Sequence, residues 1–126
     1  MITHIKIPEL PPTDNHLYGW NNRRKFMYKA GKDWKALAHL MVKQSYKGEV
    51  DTENKFYLAV IFYLKRDRDT HGSLKVLYDS FEGAIYENDK QVIGSYQEKR
   101  KDKDNPRVEV FVFKDKKKML NYLLKL

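Results

Sequence analysis

At 126 residues the chain has room for one domain with one real core, and its 41% hydrophobic and 33% charged residues describe a globular rather than a disordered protein. It contains no cysteine, which excludes a disulfide scaffold, a zinc–thiolate site, an iron–sulfur cluster and a cysteine nucleophile together; that usage also fits a reducing compartment. Lys and Arg total 25 against 17 Asp and Glu, and the resulting +8 points to a polyanionic partner, of which nucleic acid is the commonest.

Ile2 to Ile7 alternates apolar and polar residues and predicts a short strand. Pro8 to Asn15 carries three prolines, which deny a ladder its donors, and predicts a loop. Tyr18 to Tyr28 is aromatic and basic around Asn21-Asn22-Arg23-Arg24, a loop or a hairpin. Trp34, Leu37, Ala38 and Met41 recur at helical spacing and predict an amphipathic helix over 33–44, with Gly48 as its stop. Phe56 to Leu64 is an unbroken apolar run rich in aromatic and β-branched types, the pattern of a central strand covered on both faces.

After a polar stretch from Lys65 to Gly72, Leu74, Leu77, Tyr78 and Phe81 mark a second helix closed by Gly83 in the left-handed position. Gln91 to Lys99 alternates, Lys103-Asp104-Asn105-Pro106 is a turn, and Val108 to Phe113 is a strand, so these two strands are expected to form a hairpin. Met119, Leu120, Leu123 and Leu124 predict a last short helix. The elements add up to an α+β fold: a mixed sheet of about four strands packed by two main helices, plus the short C-terminal helix. They are read as one domain over 1–126, with its core over 5–113 and the C-terminal helix over 116–126. No apolar run approaches the roughly 18 residues of a membrane span, and Met1 to Lys6 shows no signal-peptide pattern.

Against the positive field, three acids stand at the edges of ordered elements. Asp67 and Asp69 follow the long strand two residues apart, where extended chain puts both on one face and their repulsion favours a bridging cation. The helix after them is roughly 16 Å long. If Gly83 reverses the chain, the six residues to Asp89 can span about 20 Å and return it to the level of the other two. Three carboxylates with open positions suit magnesium, which keeps waters for a substrate phosphate. Lys75, in the first turn of that helix, opposes the helix dipole, a cost that makes sense if it faces a phosphate or the charge developing on one. Taken singly each residue has a plainer use. An Asp-x-Asp in a polar loop is ordinary turn chemistry, Lys75 a surface lysine, His71 beside Gly72 a cap, and Asp89 the start of a strand.

From Arg66-Asp67-Arg68-Asp69-Thr70-His71-Gly72, through Leu74-Lys75 and Tyr78-Asp79-Ser80-Phe81, to Glu82-Gly83-Ala84-Ile85-Tyr86-Glu87-Asn88-Asp89-Lys90-Gln91-Val92, the sequence resembles the RusA family of crossover-junction endodeoxyribonucleases. That family pairs an Asp-x-Asp after a central strand with a helix lysine, a helix Asp, then Gly and an acidic pair running into Gln-Val. Pro11-Pro12-Thr13-Asp14-Asn15 resembles its Pro-Pro-Ser/Thr-x-Asn motif, and the likeness covers residues 5–113. It implies that Asp67, Asp69 and Asp89 are metal-binding catalytic aspartates and Lys75 the catalytic lysine. It also implies a magnesium-dependent homodimer, with manganese as a substitute ion, that resolves Holliday junctions by paired symmetric nicks, in a bacterial or phage-encoded cytoplasmic setting. No organic cofactor and no membrane enter this reading. Three features depart from the pattern. The spacer between Asp69 and Lys75 is longer than in the best-known members and does not begin with Asn. The acidic pair is Asn88-Asp89, with Glu87 as a substitute. The C-terminal helix lies beyond the family core.

Four-way junction DNA has two-fold symmetry, and an isologous dimer supplies two matched sites. Phe81, Ile85, Tyr122 and Leu123 are candidates for the shared patch, or plain core. The residues expected to meet phosphates are Arg23, Arg24 and Lys25 in the aromatic segment, Lys65, Arg66 and Arg68 beside the acids, and Lys99 and Arg100 with Lys101 and Lys103 at the expected hairpin. Trp20, Phe26 and Tyr28 either pack or wedge into an opened junction. The alternatives are a non-catalytic nucleic-acid-binding module and a small metal-dependent ribonuclease.

Overall fold

The computed structural model describes residues 3–126. In chain order the elements are β1 (Thr3–Ile7), α1 (Asp14–Leu17), β2 (Tyr18–Asn21), β3 (Arg24–Met27), α2 (Lys29–Ser45), β4 (Phe56–Leu64), α3 (His71–Phe81), a 3-10 turn (Asp89–Gln91), β5 (Val92–Lys101), β6 (Arg107–Phe113) and α4 (Lys116–Leu123). The fold is α+β, with a mixed four-stranded sheet in the order β1-β6-β4-β5. The first strand matches its expected span from Thr3 onward; Ile2 lies outside the described residues.

β4 occupies the middle of the sheet because it is apolar on both faces. Phe56, Leu58, Val60, Phe62 and Leu64 point to one side and join Trp34, Ala38 and Val42 of α2 and Val76, Leu77 and Phe81 of α3 in the main core. Ala59 and Ile61 point to the other side, where they cluster with Phe111 and Phe113 of β6 beneath Met119 of α4, with Tyr57, Tyr63 and Tyr122 alongside. Phe81 and Ile85 are fully buried in the main core, so neither belongs to a surface patch shared with a second subunit. Tyr122 and Leu123 pack at the edge of the α4 cluster.

The expected hairpin of the last two strands does not form. β5 lies parallel to β4, and β6 lies antiparallel to β4 on its other side. The connection 102–106 therefore passes the end of β4, where the Asp102 N–H donates to the Leu64 carbonyl at 2.9 Å. A strand buried on both faces offers two edges, and pairing with it buries more apolar surface than a local hairpin does. β5 is the outer strand, alternately exposed, while β6 is buried almost throughout.

Smaller differences have local causes. α2 starts at Lys29, a turn earlier than expected, because Gly31 continues the buried stripe of Trp34, Ala38 and Val42. A Cβ on Gly31 would stand 2.9 Å from Met27 and 3.1 Å from Leu17, so a glycine lets the helix sit close on the hairpin. Tyr46, rather than Gly48, closes α2. The proline loop ends in the short helix α1. β2 and β3 form the hairpin that stood as one of two readings, with Asn22 and Arg23 at φ of 48° and 67°, as a two-residue turn of inverted hand requires. Gly83 has φ of 75° and reverses the chain after α3 as expected.

Candidate active site

The helix that carries the site is capped by one of its acids. Thr70 precedes α3 without a side-chain cap, and the Asp69 carboxylate accepts the His71 backbone N–H at 2.9 Å and lies 2.9 Å from His71 Nδ1. That backbone bond is the main cause holding the Asp69 carboxyl below its ordinary value, and an anion there is favoured by the helix dipole. Asp67 receives Lys99 Nζ from β5 at 2.8 Å, and this bond lowers its carboxyl likewise. The same ammonium reaches the Arg68 carbonyl at 3.2 Å. The side chains of Asp67 and Asp69 are both largely exposed.

Lys75 sits in the second turn of α3, because the helix begins at His71. Its ammonium lies 2.6 Å from Asp89 and 3.0 Å from Asp79. The two carboxylates push the Lys75 amine well above its ordinary value, with Asp89 the larger cause. Asp89 arrives there as the geometry of the Gly83 reversal allows, and its backbone N–H donates to Glu82 Oε1 at 3.0 Å. A ligand oxygen of Asp79, Glu82 and Asp89 lies within 4.8 Å of each of the others. Among the described residues this is the one group of three acidic or histidine side chains so arranged. Asp67 and Asp69 do not join it; they stand at the N-terminal end of α3, and Asp89 meets the helix a turn or two further on. Asp79 and Glu82 were not singled out as ligands from the sequence. Their signal was the spacing Lys75, Asp79, Glu82, one stripe of a helix.

The loop bearing Asp89 is pinned by Gln91. Its Nε2 donates to the carbonyls of Asp51 and Asn54 at 3.0 and 2.9 Å, and its Oε1 accepts the N–H groups of Glu87 and Asn88 at 2.9 and 3.1 Å. Asn88 accepts the Lys90 N–H, which closes the 3-10 turn. Glu87, the expected substitute acid, contributes its backbone to this frame.

The pairing of Lys75 with Asp89 has a pH signature. Chiefly through the Lys75 hydrogen bond, the folded-state value of Asp89 is lowered. The stability from this pair is therefore complete well above the ordinary Asp value of about 3.9 and is lost as pH falls through the lowered folded value. In urea unfolding, wild type is expected to exceed Lys75→Met in stability at neutral pH, and the gap is expected to close in acid. A gap that stays constant down to acid pH would show that the pair contributes nothing.

The basic residues gather into grooves. One, of about 480 Å³, is lined by Lys65, Arg66, Asp67, Lys99, Arg100, Lys101 and Lys103. Lys99 to Lys101 thus end the strand paired in parallel with β4, with Lys103 in the connection that follows, rather than forming the tip of a hairpin. Arg68 turns inward, its guanidinium donating to the Pro11 carbonyl at 2.5 Å. Arg23, Arg24 and Lys25 cluster at the β2–β3 turn, with Lys25 4.3 Å from the centre of the Tyr18 ring. Trp20 is 71% exposed, whereas Phe26 and Tyr28 pack edge to face at 5.1 Å.

A half-buried acidic cluster bridged by a lysine and bordered by basic grooves is equipment for handling a phosphodiester polyanion. The family model for Endodeoxyribonuclease RusA matches residues 9–113, most of the chain. The chain belongs to the RusA endodeoxyribonuclease family and is thereby a hydrolase acting on DNA. No curated protein matches it significantly. No helix among the described residues is long and apolar enough to cross a membrane.

Proposed function

We propose that this chain is a magnesium-dependent, structure-specific endodeoxyribonuclease that resolves Holliday junctions by paired symmetric nicks, in DNA recombination and repair. The observation that carries the reading is the Lys75 ammonium seated between Asp89 and Asp79 in a chain of this family. A cation already occupies the place where carboxylates converge, and their hard oxygen donors suit magnesium. Asp67, Asp69 and Asp89 are the carboxylates that the family pattern assigns to the ion. The proximity of Asp79 and Glu82 to Asp89 supports a second ligand set, with Asp89 common to both. When bound, magnesium supplies the Lewis acidity for phosphodiester hydrolysis, and manganese serves in its place.

The protein's own groups do the rest. Lys75, once drawn off Asp89, stays tethered to Asp79 four residues on and offers its charge to the phosphoryl oxygens. Lys65, Arg66, Lys99 and Arg100 hold flanking phosphates in their groove. Arg23, Arg24 and Lys25 hold others at the hairpin, and Arg68 fixes the N-terminal loop beside them. The chain works as one domain over 1–126, in a cytoplasmic setting. Two copies form a homodimer that gives a four-way junction its two sites, with Tyr122 and Leu123 in reach of the shared face.

The test is nicking of a synthetic four-way junction with and without magnesium. Asp69→Asn is a clean variant, because Asn still caps α3 while the charge is removed. It is expected to abolish cleavage and to leave junction binding intact. Cleavage at the wild-type rate in Asp69→Asn, with loss in Asp79→Asn, would assign the ion to Asp79, Glu82 and Asp89 instead. Absence of magnesium-dependent nicking in wild type would leave a binding module, and cleavage of RNA in preference to junction DNA would leave a ribonuclease.

A further inference from the structure

We propose that the groove between α2 and α3 is a second phosphate track, in which Lys32 and Lys35 hold the DNA strand on the side of the acids away from the hairpin tip. The proposal rests on the nuclease reading for the identity of the polyanion and goes beyond it in assigning these residues. The groove is about 680 Å³ and is lined by Met27, Lys32, Lys35, His39, Asp79 and Glu82 among others. On the far side of Lys75 a second groove, about 520 Å³, is lined by Asn15, Tyr18, Trp20, Lys25, Gly72 and Lys75. The two meet across the 3.0 Å ion pair of Lys75 with Asp79.

Helical geometry makes them one path. Gly72, Lys75 and Asp79 form a single stripe of α3, with Glu82 at the cap just past its end, and from Gly72 to Phe81 the helix is about 14 Å long at 1.5 Å per residue. A DNA strand advances 3.4 Å per nucleotide, so the stripe is about four nucleotides long. Lys25 stands at one end of the path, Lys75 in its middle, and Lys32 and Lys35, one turn apart on α2, at the other.

The charges are arranged for a visiting anion. Lys29 is paired with Asp33 at 2.7 Å, whereas among the described residues neither Lys32 nor Lys35 has a carboxylate partner. The acids of the opposite wall are already engaged, Asp79 by Lys75 and Glu82 by the Asp89 N–H. His39 donates from Nδ1 to the Ser80 carbonyl at 2.9 Å, since a carbonyl can only accept, and this bond ties α2 to the end of α3 along the floor of the groove.

The experiment measures binding of a fixed four-way junction in EDTA at several salt concentrations, comparing Lys32→Gln/Lys35→Gln with Lys43→Gln/Lys47→Gln. The control pair removes the same charge from exposed positions at the far end of α2 and beyond. Each phosphate contact adds about 0.9 to the slope of log affinity against log salt, so loss of two makes the fall between 50 and 200 mM about tenfold smaller. That reduction is expected in the first pair and not in the second. Equal reductions would reduce the effect to net charge, and no reduction in either would leave the groove without a phosphate; both outcomes overturn the proposal. Nicking is scored separately in magnesium. An inactive wild type with a groove-specific change in slope would overturn the nuclease and keep the track.

Discussion

Asp89→Asn is expected to lower magnesium-dependent cleavage of a four-way junction by a factor on the order of 10³ or more, with the fold intact. Asp89 belongs to the acidic group with Asp79 and Glu82 and also to the set proposed with Asp67 and Asp69, so on either assignment its charge is lost. Asn keeps the side-chain shape and the backbone N–H that meets Glu82. Lys75 retains Asp79, and the pair lost is one with a mostly exposed lysine, so the stability change is expected to be about 1 kcal/mol or less. Affinity for the junction in EDTA is expected to hold or rise, because one negative charge has left a phosphate path. Nicking assays beside gel-shift titrations check both halves. Cleavage within tenfold of wild type would remove Asp89 from the chemistry.

Gln91→Leu is expected to cost about 3 kcal/mol, or about 10 °C in thermal midpoint, and to reduce cleavage as well. Gln91 is 7% exposed, and its amide satisfies four backbone groups from two separate segments. A leucine of similar size satisfies none of them, and a buried polar group left alone costs roughly 1–3 kcal/mol. Asp89 lies two residues before Gln91 in the same turn, so the lesion reaches the site through the backbone. Thermal unfolding checks the first effect. The second is checked by the magnesium concentration needed for half-maximal nicking, which is expected to rise in Gln91→Leu. Loss of stability with an unchanged magnesium requirement would make Gln91 a purely architectural residue.

Both residues lie in the stretch where the sequence was most informative. The central strand was legible because nine apolar residues in a row can be buried only from both faces. The second helix was legible because Leu74, Leu77, Tyr78 and Phe81 repeat at its period, and Gly83 because a reversal there needs positive φ. The family likeness over the acids and lysine agrees with the matched span. Less was visible in the pairing of the last strands. A five-residue connection serves a hairpin or a passage across one strand equally well, and alternation reports which face is buried, not which neighbour is bonded.

Composition and periodicity by themselves determined the element types, the α+β class, the basic character and the acids and lysine of interest, since each follows from local patterning or from charge. Tertiary structure alone decided that β4 stands between β5 and β6, that Lys99 comes to Asp67, and that Asp89 meets Lys75, Asp79 and Glu82. Those placements depend on where α3 ends and on which edge of the buried strand each later strand completes, and such long-range packing is written in no single stretch of residues.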